Sequence, residues 1–97
     1  MDVDRIERKM EEKKVYIKRV FHVREIGVFG SFIRGEQTAS SDIDVLVDFE
    51  RGHKDFFNYM KLRYYLEELL QRKIDLVIKN EVKPRLRKRI FSEVEYV

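Results

Sequence analysis

Residues 43–49 (IDVLVDF) alternate in a way that fixes what must lie on either side of them. Successive side chains of a strand point to opposite faces. Ile43, Val45, Val47 and Phe49 therefore share one wholly apolar face, and Asp42, Asp44, Leu46 and Asp48 share the other. Residues 73–78 (KIDLVI) repeat the arrangement, with Ile74, Leu76 and Ile78 opposite Asp75 and Val77. Two such strands each bury one side and present carboxylates on the other. If they are sheet neighbours, about 4.8 Å apart, Asp42, Asp44 and Asp75 converge.

The rest of the chain supplies the cover. Residues 3–20 carry Val3, Ile6, Met10, Ile17 and Val20 at helical spacing, with Asp4 and Glu7 spaced as a capping box. Residues 25–30 (EIGVFG) form a short strand, and residues 31–41 a turn or helical stub followed by a polar loop. Residues 55–70 form a helix with a wide apolar face. Pro84 suits the first turn of a last helix, with Leu86, Ile90 and Val94 facing inward, and residues 95–97 allow a final edge strand. Gly30, Gly35, Gly52 and Pro84 fall at element boundaries; Gly27 does not. The expected fold is α/β, a small mixed sheet covered by helices, in a single domain spanning residues 1–97.

Composition excludes several classes of function. There is no cysteine, hence no disulfide framework, thiolate metal site or cysteine nucleophile. No apolar run approaches a membrane span, and the charged N-terminal residues do not read as a signal peptide, so a cytoplasmic location is expected. A net charge of +3 suits a phosphate-bearing ligand but is too small to argue for direct binding of nucleic acid. The basic run Arg85, Arg87, Lys88 and Arg89 reads as a solvated helix face. His22 and His53 are isolated in sequence, without metal-ligand spacing, and read as surface or loop residues.

Three carboxylates held together repel one another unless a cation joins them, and an open oxygen-only cluster suits a hard ion such as Mg²⁺ or Mn²⁺. Taken alone, Asp42 and Asp44 are equally well read as solvated side chains. Gly30 and Ser31 alter that balance. A glycine ending a strand lets backbone approach a ligand, and the following amides and hydroxyl can receive phosphate. A metal-bound triphosphate needs both features.

Gly30, Ser31, ten residues, Asp42, any residue, Asp44 resembles the GS-x10-DxD signature of the polymerase-beta-like nucleotidyltransferases. The longer run GSFIRGEQTASSDIDVLVDF is similar to the form found in minimal nucleotidyltransferases, with Ile33 where alanine is usual. Asp75, in RKIDLVI, matches the third carboxylate of that family. Four fixed letters at this spacing arise by chance in roughly one chain in a thousand of this length, which favours the family over coincidence. The resemblance covers nearly the whole chain. It implies a nucleotidyltransferase fold and two Mg²⁺ ions, with Mn²⁺ as the substitute. Asp42 and Asp44 would ligate both ions; Asp75 would ligate the catalytic ion and accept the proton of the attacking hydroxyl. Gly30 and Ser31 would hold the β- and γ-phosphates. Arg34 matches the motif arginine and could reach phosphate, though an ion pair with Glu36 or Asp42 explains it equally. ATP or another nucleoside triphosphate would be the donor.

Minimal members of the family resemble antitoxins that bind a HEPN-domain toxin and in some cases transfer AMP to one of its tyrosines. The resemblance thus implies a protein adenylyltransferase acting as an antitoxin. Two rival readings stand beside it: an antitoxin that neutralises by binding alone, and a small-molecule nucleotidyltransferase completed by forming a homo-oligomer.

Overall fold

The computed structural model describes all 97 residues. Its centre is a four-stranded sheet in the order β3-β2-β1-β4, formed by β1 (Val23–Phe29), β2 (Ile43–Phe49), β3 (Ile74–Ile78) and β4 (Glu95–Tyr96). β1 runs antiparallel to β2 and β4, while β2 and β3 are parallel, so the sheet is mixed. The parallel pair is joined by α4 (Phe56–Leu70), the helical crossover that parallel neighbours require.

One face carries the main core. Ile43, Val45 and Val47 of β2, Ile74 and Leu76 of β3, and Ile26 and Val28 of β1 pack there. They meet Ile6 and Met10 of α1 (Val3–Glu12), Ile17 of α2 (Lys14–Val20), and Leu62, Leu66 and Leu70 of α4. The expected helix over residues 3–20 is two helices, broken at Lys13. Its N-cap is Asp2, whose carboxylate accepts the Arg5 N–H at 3.0 Å, in place of the Asp4–Glu7 box. The α4 cap is Asp55, accepting from the Asn58 N–H at 2.9 Å.

The opposite face is not all carboxylate. α5 (Pro84–Glu93) lies across part of it, and Phe29, Leu46, Val82 and Ile90 form a second, smaller core beneath that helix. Leu46, which the alternation placed on the acidic face, is completely buried there. This cover leaves the N-terminal ends of β2 and β3 open, and those ends carry the aspartates. Gly27 is explained by the same side of the sheet. A Cβ at that position would stand 2.7 Å from the Glu95 carbonyl oxygen, so glycine is what lets β4 lie against β1. No helix is long and apolar enough to cross a membrane.

Candidate active site

The parallel register sets Asp44 of β2 directly beside Asp75 of β3. Both side chains emerge on the open face, and their carboxyl groups are hydrogen-bonded to each other. Burial pushes the Asp44 carboxyl up from 3.8 to about 6; the neighbouring charge of Asp75, the hydrogen bond with Asp75 and, more weakly, Asp42 add to the rise. The Ser31 backbone amide, facing the carboxylate, acts the other way. Asp42, just before the strand, is exposed and acts on the pair through its charge alone. A cation between these carboxylates would offset the same repulsion that raises Asp44. Oxygen-only donors, mutual repulsion and an open side fit a hard divalent ion.

The glycine–serine turn is built against the same carboxylate. β1 ends at Phe29, opposite Asp44, and Gly30 follows with φ 80°. A Cβ on Gly30 would run into the Asp44 carboxylate, so the residue is glycine for two reasons, its left-handed backbone and the closeness of Asp44. Ser31 then opens α3, a single turn over Ser31–Arg34. Ser31 is half-buried, at the junction of this turn and the carboxyl pair.

Arg34 is already paired. Its guanidinium donates to Glu36 at 2.9 Å and to both oxygens of Glu93 at 3.0 Å. Of its two expected carboxylate partners, Glu36 is present and Asp42 is not. Glu93 has no counterpart in the sequence reading. It lies in the last turn of α5, 63 residues from Gly30, and accepts the Gly30 N–H at 2.6 Å. Local pattern carries no sign of such a contact.

Arg72 is the second unforeseen residue. It donates to the carbonyls of Thr38, Ala39 and Ser41 at 2.8–2.9 Å and so holds the polar loop that leads into Asp42. Ser41 closes that loop, its hydroxyl accepting the Thr38 N–H at 2.8 Å. A separate cleft of about 440 Å³ opens along the outer edge of β3, lined by Lys54, Phe56, Tyr59, Ile78 and Glu81 among others; none of the three aspartates lines it.

This arrangement can be set beside known proteins. The family model described as the nucleotidyltransferase domain matches residues 3–97. Protein adenylyltransferase MntA of Thermococcus cleftensis is 41% identical over all of this chain and 97% of its own length. The chain belongs to the minimal nucleotidyltransferase family. It is a nucleotidyltransferase. A solved structure of a minimal nucleotidyltransferase superposes with a TM-score of 0.83 at 33% identity, covering 98% of this chain and 95% of that one. A toxin–antitoxin complex with AMP-PNP superposes at 0.70 with 25% identity, covering 89% of this chain and 70% of that one.

Proposed function

We propose that this nucleotidyltransferase is an antitoxin, a single-domain enzyme that transfers AMP from ATP to a hydroxyl of a HEPN-domain toxin, with a tyrosine as the acceptor. The observation that carries this reading is the register of Asp44 with Asp75 beside the Gly30–Ser31 turn. The similarity to an MntA adenylyltransferase over the full chain supports AMP as the group transferred and protein as the acceptor. Phe56 and Phe57, 70% and 73% exposed at the start of α4, offer an apolar surface for a partner protein.

The chain's residues divide the work. Asp42 and Asp44 would hold two Mg²⁺ ions, with Asp75 sharing one of them. When bound, such ions neutralise phosphate charge and fix the attacking and leaving oxygens. The Gly30–Ser31 turn receives the β- and γ-phosphates. Asp75 accepts the proton of the tyrosine hydroxyl. The acceptor oxygen bonds to the α-phosphorus, the bond from that phosphorus to the oxygen bridging to the β-phosphate breaks, and pyrophosphate leaves. Glu93 accepts from the Gly30 N–H and from Arg34, so an arriving phosphate competes with a carboxylate for these donors.

The test is label transfer from α-³²P-ATP with Mg²⁺ to a HEPN-domain toxin, the partner this reading requires. The parent protein should label its partner. Asp75→Asn should bind much of the nucleotide and transfer about 10²–10⁴-fold more slowly, the usual worth of a positioned base. Asp44→Asn should lose binding and transfer together. Transfer by Asp75→Asn at the parental rate would refute the three-carboxylate site. Neutralisation of the toxin with no label on it would assign the protein to the binding antitoxins.

A further inference from the structure

The end of the sheet opposite the aspartates gathers a different set of ligands. His22 lies between α2 and β1, while Glu50 and His53 belong to the turn that follows β2. The two histidines are isolated in sequence, but in the fold their rings stack with centroids 3.7 Å apart at 15°. One ligand atom from each of His22, Glu50 and His53 falls within 4.8 Å of the others. Six residues of strand, about 20 Å, separate Glu50 from Asp44, so this group is independent of the carboxyl pair.

The backbone beneath the three side chains is already fixed. The Glu50 N–H donates to the His22 carbonyl at 2.7 Å, and the His53 N–H to the Glu50 carbonyl at 3.0 Å. The side-chain amide of Asn58 bridges the segments, donating to the Phe21 carbonyl at 2.7 Å and the His53 carbonyl at 3.0 Å. His22 itself sits at φ 55°, a left-handed conformation that few residues bearing a Cβ adopt. The Glu50 carboxylate takes part in none of the ion pairs of the fold.

We propose that His22, Glu50 and His53 bind one late first-row divalent ion, Zn²⁺ foremost, and that the ion staples the turn after β2 to the start of β1. Two imidazole nitrogens and one carboxylate oxygen are a zinc donor set, with a fourth position for water. Bonds of about 2.0–2.1 Å at tetrahedral angles place ligand atoms about 3.4 Å apart, so the two rings must turn out of their stack for both lone pairs to meet one ion. Nitrogen donors also separate the two ends of the molecule by chemistry. Imidazole suits zinc, and the all-oxygen set of Asp42, Asp44 and Asp75 suits Mg²⁺.

The probe is Zn²⁺ itself, added to the full chain in saturating Mg²⁺ and followed by competition with a chromophoric chelator. The parent protein should take up one Zn²⁺ per chain and melt at a higher temperature with it. His22→Asn, which tolerates the left-handed backbone, and His53→Gln should each weaken uptake about tenfold or more and abolish the melting shift. Asp44→Asn should keep both. Co²⁺ in place of Zn²⁺ should give the visible bands of a four-coordinate site, absent from the histidine variants. The proposal is overturned if the parent protein takes up no more Zn²⁺ than His22→Asn, or if uptake disappears with Asp44→Asn and survives the histidine substitutions.

Discussion

Asp44 carries two roles in one side chain: it blocks any side chain at residue 30, and it is coupled to Asp75 on the neighbouring strand. Its carboxyl is raised from 3.8 to about 6, so between those values the folded protein holds a proton that the unfolded chain releases. A raised carboxyl contributes stability that is full below the unfolded value and lost as pH rises through the folded one. Glu7, half-buried and hydrogen-bonded to Glu95, is raised from 4.5 to about 7 and acts with the same sign. The protein in EDTA should therefore melt at a falling temperature from pH 5 to pH 7.5. Asp44→Asn should flatten the lower part of that decline, and Mg²⁺ should stabilise more at pH 7.5 than at pH 5. A melting temperature in EDTA that rises across this range would show that the carboxyl pairs do not carry the shared protons.

At the scale of elements, α5 is the piece that links the second core to the chemistry. Ile90 anchors it on Leu46, and one turn later Glu93 reaches the Gly30 amide and Arg34. The helix thus sets a negative group against the Gly30–Ser31 turn. Glu93→Gln keeps an acceptor for the Gly30 N–H but gives up the charge facing Arg34. ATP should bind this variant about 3- to 10-fold more tightly, in line with loss of a competing charge-assisted hydrogen bond that is partly solvated. Unchanged or weaker ATP affinity, measured by calorimetry in Mg²⁺, would mean that Glu93 only shapes the turn.

On the scale of the whole molecule, one sheet separates two ends, and in the proposed reading only the aspartate end meets nucleotide. A ligand that binds the folded state alone stabilises it by about 2.7 kcal/mol at a hundred times its dissociation constant. For a domain of this size that corresponds to a rise of about 10–20 °C in melting temperature. ATP with Mg²⁺ should give a rise of that order, and EDTA should remove it. Asp75→Asn should retain a good part of it, and Asp44→Asn very little. An ATP-induced rise that persists in EDTA would separate nucleotide binding from the metal ions.

The sequence by itself determined the strands, since strict alternation in residues 43–49 and 73–78 leaves one way to bury Ile43, Val45, Ile74 and Leu76. The Gly30–Ser31 turn and the two strands that set Asp44 beside Asp75 were legible as well, because residue types at fixed spacing are local information. The break at Lys13 was not legible: Ile6, Met10 and Ile17 keep helical spacing through it, and only packing against α4 and the sheet decides where the axis turns. Gly27 had no local reason, because its neighbour β4 lies nearly seventy residues away in the chain. Tertiary structure alone decided that Leu46 would be buried under α5, that Glu93 would hold the Gly30 amide, and that His22 would stack on His53. Each of these depends on contacts between distant segments, and such contacts exist only once the sheet has ordered the chain.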